Sequence, residues 1–61
     1  MDRRVLLNFL RTPRGLRAKI VVQLRGRSEN WAVLIVRSES DGIAIAAEAA
    51  HYHGIPGIYI E

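Results

Sequence analysis

The chain has 61 residues, 49% of them hydrophobic, and it contains no cysteine. A chain of this length buries only about 60% of its unfolded surface, so we expect a single domain over residues 1–61 with a small margin of stability. The composition excludes disulfides and thiolate metal sites, and no apolar run approaches the roughly 20 residues of a membrane span. These features favour a soluble protein of a reducing, cytoplasmic compartment.

The net charge of +3 is unevenly distributed. All nine Lys and Arg residues lie in residues 1–37, which hold two acids, whereas residues 38–61 hold four acids and no base. Eight of the nine bases are arginine, whose planar guanidinium group suits phosphate and carboxylate. Such asymmetry indicates binding to nucleic acid or to an acidic partner.

Residues 2–11 are predicted to form a short amphipathic helix, because their apolar residues fall on one arc at 100° per residue. Asp2 is its predicted N-cap, and T-P-R-G at 12–15 ends it in a turn. A strand over residues 5–9 stays open as the alternative, since short apolar runs are ambiguous.

Residues 16–25 alternate almost perfectly between apolar and polar side chains, which predicts a strand with one core face and one cationic face. W-A-V-L-I-V at 31–36 is apolar on both registers, which predicts a central strand covered on both sides. G-R-S-E-N at 26–30 joins the two strands as an antiparallel hairpin.

The hairpin register stays open. A five-residue loop places Arg25 opposite Trp31 and Lys19 opposite Arg37, and Trp31 then joins the cationic face. A tighter turn at residues 28–29 shifts the pairing by one residue and sends Trp31 to the core face instead.

Ser38 to Gly54 is predicted to form a helix, with S-E-S-D as its capping box and Gly54 and Pro56 as its stop signals. Its small residues let it approach its own sheet, or a partner helix, closely. Residues 58–60 form the last strand, which a right-handed crossover places parallel to the central strand. The predicted fold is α+β, in the order αββαβ, with helices packed on a three-stranded mixed sheet.

The segment V-L-I-V-R-S-E-S-D-G-I-A-I-A at 33–46 resembles the opening of a Toprim domain, the nucleotidyl and metal-binding fold of primases and topoisomerases. In that family the strand ends in a catalytic Glu, a glycine-containing turn follows, and an Asp begins the helix. Arg37 occupies the position of that Glu, and no D-x-D motif follows. The resemblance covers about a quarter of the chain and assigns no active-site residue.

No catalytic, metal or cofactor site is predicted. His51 and His53 would point about 160° apart on a continuous helix, so they cannot share one ion, and Glu48 with His51 supplies only two ligands. No serine has an evident base beside it, and the acids at 39–41 serve as capping residues. We therefore expect a protein without enzymatic activity.

The arginine-rich face of the hairpin is the predicted binding site, because an antiparallel ribbon of cations contacts phosphates without sequence preference and an aromatic residue among them stacks a base. The predicted site consists of Arg14, Arg17, Lys19, Gln23, Arg25, Arg27 and Trp31. The favoured function is DNA or RNA binding by a small basic homodimer. The alternative is a non-enzymatic assembly or regulatory module that docks an acidic protein or itself.

Self-association is predicted because the last strand has no proline or lysine to protect its edge, and because the helix carries a stripe of small residues. The predicted oligomer interface consists of Gly42, Ala46, Ala49, Ala50, Ile58 and Ile60.

Overall fold

A computed structural model describes residues 3–61. Its elements are β1 (Arg4–Thr12), β2 (Gly15–Leu24), β3 (Arg27–Val36), α1 (Glu39–Tyr52) and β4 (Ile58–Ile60). The strands form one mixed sheet in the order β3-β2-β1-β4. The α+β class is confirmed, but the sheet has four strands rather than three and the described residues form one helix rather than two.

The first element is a strand, so the predicted helix over residues 2–11 is wrong, and the open alternative of a strand is the one found. Asp2, the predicted cap of that helix, lies outside the described residues. β1 pairs antiparallel with β2 along its whole length and parallel with β4 on its other side. A helix would satisfy its own backbone hydrogen bonds but would leave both neighbours without a partner, so tertiary pairing decides an ambiguous apolar run.

The T-P-R-G segment forms the turn between β1 and β2 instead of ending a helix. The Thr12 hydroxyl donates to the Gly15 carbonyl at 2.9 Å and accepts from the Arg14 N–H at 3.1 Å. Gly15 has φ +129°, a conformation that side-chain-bearing residues rarely adopt. The turn thus closes a hairpin between two strands of nine and ten residues.

The second turn is shorter than predicted and consists of Arg25 and Gly26, with Gly26 at φ +79°. β3 therefore begins at Arg27, and neither predicted register is correct. Lys19 pairs with Val33, and a register shift between Ile20 and Val21 inserts one extra residue in β3 at Trp31. This β-bulge changes the register partway along the hairpin, which a single loop length cannot predict.

β3 lies at the edge of the sheet, so its predicted central position is wrong. The prediction rested on its two apolar registers. One of them, with Ala32 and Leu34, packs against the core. The other leaves Trp31, Val33 and Ile35 exposed, so apolar character on both sides of this strand does not mean cover on both sides.

The helix α1 forms where it was predicted. The Ser38 hydroxyl accepts from the Asp41 N–H at 3.4 Å at the N-terminus. At the C-terminus Gly54 has φ +69°, and the Ile55 N–H donates to the Ala50 carbonyl at 2.8 Å. This is a Schellman motif, and it brings Ile55 back onto the core.

The core lies between α1 and one face of the sheet. Its fully or nearly fully buried hydrophobic residues are Val5, Leu7, Ala18, Ile20, Val22, Ala46, Ala49, Ala50 and Ile55. Gly42 brings the helix so close that a Cβ atom there would lie 2.6 Å from a ring carbon of Phe9. The small-residue stripe, four of the six residues predicted for an oligomer interface, thus packs on the chain's own sheet and is inaccessible to a second copy.

The last strand, β4, pairs with β1 through Ile58, Tyr59 and Ile60. It runs in the same direction as β3, as the crossover predicted, but its neighbour is β1, and two strands lie between β4 and β3. The outer edges of β3 and β4 are both unpaired within the described residues. Across residues 3–61, no helix has the length and apolar character needed to cross a membrane.

Candidate functional site

The two faces of the sheet are in different surroundings. α1, the only helix of the described residues, packs on one of them, which we call the covered face. Strand alternation and register define the other, which we call the open face. The open face consists of Arg4, Leu6, Asn8, Leu10, Arg17, Lys19, Val21, Gln23, Ser28, Asn30, Trp31, Val33, Ile35 and Tyr59.

The open face is cationic. It carries Arg4, Arg17 and Lys19, and none of its residues is Asp or Glu. The acids of the helix, Glu39 and Asp41 among them, lie on the element that packs against the covered face. The charge asymmetry between the two halves of the sequence therefore becomes an asymmetry between two faces.

An apolar row follows β3 directly beside these cations. Val33 and Ile35 are 54% and 47% exposed, and Trp31 continues the row at the bulge. Ile35 pairs directly with Arg17, and Val33 pairs directly with Lys19. Directly paired residues lie about 5 Å apart at their Cβ atoms, so a cationic row and an apolar row run side by side.

The far side of the open face holds a cation and an aromatic ring in contact. The Arg4 guanidinium carbon lies 5.4 Å from the centre of the Tyr59 ring, which is cation–π geometry. Sequence reasoning missed both residues as parts of a site, because it assigned Arg4 to a helix. The alternation of Arg4, Leu6, Asn8 and Leu10 was the signal that could have placed Arg4 on a sheet face.

Six of the seven predicted site residues lie on the open face or in the turns at its ends. Arg17, Lys19, Gln23 and Trp31 lie together on the open face. The exposed turns hold Arg14 beside Arg17 at one end of the sheet and Arg25 at the other.

Arg27 does not belong to this face, which corrects its predicted place. It pairs with Leu24, on the side of the sheet that α1 covers, and its guanidinium group lies 3.4 Å from the Glu29 carboxylate. The ion pair is exposed at both ends. The short turn causes this difference, because it brings Arg27 into β3 rather than leaving it in a loop.

His53, at the C-terminal end of α1, makes contacts that stabilise the fold. The backbone carbonyl of His53 accepts a hydrogen bond from the Arg3 guanidinium group. The imidazole ring of His53 meets the ring of Tyr52 edge to face, with 5.1 Å between the ring centres. Among residues 3–61, no group of three or more His, Asp or Glu side chains is placed to hold a metal ion.

Comparisons with protein-family models, with curated proteins and with solved structures find no match to this chain. The open face, with its paired cationic and apolar rows, is the feature on which a functional argument can be built.

Proposed function

We propose that this protein binds nucleic acid through the open face of its sheet, by phosphate contacts that are largely independent of sequence. The observation that carries the proposal is the placement of Arg17 and Lys19 on a sheet face that, within residues 3–61, no helix covers and no carboxylate occupies. Arginine and lysine that neutralise phosphates release counterions, which makes this kind of binding favourable and strongly dependent on salt.

Two further observations support nucleic acid over a simple solvated surface. Within residues 3–61, Arg17 and Lys19 have no carboxylate within ion-pair distance, so their charges are available to a ligand. Exposed aromatic and branched side chains lie between and beside the cations, including Trp31 and Tyr59. A solvated face normally mixes both signs of charge and exposes few large apolar side chains.

The test is a charge reversal, Arg17→Glu with Arg25→Glu. We expect it to lower affinity for nucleic acid more than tenfold at physiological salt and to reduce the slope of log affinity against log salt by about 1.4 for single strands. Fluorescence anisotropy with a labelled oligonucleotide measures both quantities. Far-ultraviolet circular dichroism should be unchanged, because neither residue belongs to the core.

The matched control is Arg11→Glu with Arg27→Glu, which changes the net charge equally. Arg11 pairs with Leu16 and Arg27 with Leu24, so both lie on the other side of the sheet. Equal losses in the two double variants would show that net charge, and not the open face, governs binding. Unaltered binding by Arg17→Glu with Arg25→Glu would exclude the open face as the site.

The exposed apolar row supports a second candidate, an assembly module that docks an acidic protein on the same face. Contiguous exposed apolar side chains are typical of protein interfaces. Parallel binding measurements with a random duplex, a single strand and heparin separate the candidates. A preference among nucleic acids supports nucleic-acid binding, whereas equal binding to heparin and nucleic acid indicates plain cation exchange.

A further inference from the structure

A groove lies at the end of the open face, between the turn that joins β1 to β2 and the end of β3. Its volume is about 390 Å³, and it is lined by Thr12, Pro13, Arg14, Arg17, Val33, Leu34 and Ile35. This volume falls at the small end of the range for sites that take one small molecule or one group of a larger ligand. The groove therefore fits a single compact group better than an extended side of a protein.

The chemistry of the groove is apolar on one wall and cationic on the other. Val33 and Ile35 form the apolar wall, half exposed to solvent in the free protein. The Thr12 hydroxyl is already engaged by the Gly15 carbonyl and the Arg14 N–H. Among residues 3–61, no carboxylate lines the groove. The charged groups that remain to meet a ligand are the guanidinium groups of Arg14 and Arg17.

Arg17 is itself incompletely satisfied within the described residues. Its Nε–H is buried and has no hydrogen-bond acceptor among residues 3–61. A buried donor without an acceptor is unfavourable, and a guanidinium group forms its strongest hydrogen bonds with anions. A ligand that combines an anion with a flat apolar body matches both walls of the groove.

We propose that the groove receives an unpaired base of a single-stranded nucleic acid, with its flanking phosphates on Arg14 and Arg17. The inference rests on the proposed function and deepens it by naming the single strand as the preferred ligand. The strand follows β2 and β3, with phosphates along Arg17 and Lys19 and bases along Ile35, Val33 and Trp31.

The paired rows explain why a duplex is the weaker ligand. Residues two apart on a strand lie about 6.6 Å apart, so the apolar row of β3 offers successive contact points to successive bases. Every base has an apolar π-face, which a single strand exposes and a duplex keeps stacked inside. A duplex therefore uses the cations of the open face but leaves the apolar row in water.

The experiment compares an oligothymidylate of about 12 nucleotides, within the usual size of a single-strand site, with an abasic strand of the same length and with a duplex. The two single strands carry the same phosphates and differ only in their bases. We expect the full chain to bind the oligothymidylate roughly tenfold more tightly than the abasic strand, and more tightly than the duplex.

The decisive variant is Val33→Thr with Ile35→Thr. Threonine keeps the β-branched shape that suits a strand, and both positions are half exposed, so the thermal midpoint should change little. We expect the preference of the parent for the oligothymidylate over the abasic strand to fall by about threefold, with an unchanged salt slope, and Trp31 accounts for the preference that remains. A preference for bases that is undiminished in the folded variant would overturn the inference.

Arg14→Gln is the matched control, because it removes a cation from the groove and leaves the apolar wall intact. It should lower affinity for both single strands by the same factor, and a loss confined to one strand would contradict the phosphate contact of Arg14. If the parent protein binds the oligothymidylate, the abasic strand and the duplex equally, the inference fails and the proposed function stands. If it binds none of them, both fail.

Discussion

The two faces of the sheet are built from similar residues and differ in what lies against them. On the covered face, Leu7 and Ile20 are completely buried beneath the alanines of α1. On the open face, Leu10 and Val33 are about half exposed, with cations between the apolar side chains. Alternation therefore identifies the two faces of a strand, whereas the position of the covering helix decides which face becomes core.

A substitution that shortens one leucine on each face gives the largest expected contrast. Leu7→Ala removes a completely buried side chain from the core and should lower the free energy of unfolding by about 2–5 kcal/mol. That is a large part of the total stability of a chain of this length, about 3–9 kcal/mol. Leu10→Ala, in the same strand on the open face, should cost under about 1 kcal/mol. Urea denaturation of the two variants measures the difference.

Equal losses of stability in the two leucine variants would contradict this difference between the covered and open faces. They would show that the open face is buried in the folded protein in solution, and that something other than the described chain covers it.

The close approach of helix and sheet predicts the next largest effect. Gly42→Val places side-chain carbons where the Phe9 ring now lies, so it should lower the free energy of unfolding by about 1–3 kcal/mol. Valine has a slightly higher helix propensity than glycine, so any loss of stability reports the clash rather than the helix. Ala44→Val, on the exposed side of the same helix, is the control and should cost about 0.6 kcal/mol. Thermal unfolding followed by circular dichroism distinguishes the two.

The smallest predicted effect is self-association through the outer edge of β4. Antiparallel pairing of two β4 strands about a twofold axis places both open faces on the same side of an eight-stranded sheet. If only the dimer is stable, each tenfold rise in protein concentration adds about 1.4 kcal/mol to the apparent stability. Ile60→Lys should weaken the association by placing a charge at the paired edge.

Sedimentation equilibrium over a wide range of concentration checks this prediction. A parent chain that stays monomeric, and that unfolds at the same temperature when dilute, would show that one copy is stable alone.

The sequence predicts an element correctly where its pattern allows only one interpretation. β2 was found because its alternation separates apolar from charged residues, and α1 was found because Ser38 and Gly54 mark its two ends. β1 and β3 failed for one shared reason. Both carry apolar residues on both registers. In β1, Leu6 and Leu10 on the register of Arg4 and Asn8 kept periodicity from separating helix from strand, and in β3 two apolar registers kept it from separating edge from centre.

The candidate site was predictable only where charge marks a strand. The alternation of β2 correctly predicts that Arg17 and Lys19 lie on one face of the sheet. The groove was not predictable, because it needs the turn at residues 12–15 to lie beside the end of β3, and this contact depends on the true hairpin register. The two-residue turn at residues 25–26 and the extra residue at Trp31 together set that register, and no local sequence rule predicts the extra residue.

The extra residue at Trp31 also bears on whether further strands can add to the free edge of β3. β3 exposes the outer edge of a ten-residue strand, and a long straight apolar edge is a template on which another chain can add. The bulge bends the strand and divides it into regular stretches at residues 27–30 and 32–36. Each stretch is shorter than the six or seven residues that typically form a steric zipper. We expect this irregularity to limit cross-β growth from the edge of β3, the longest free edge within residues 3–61.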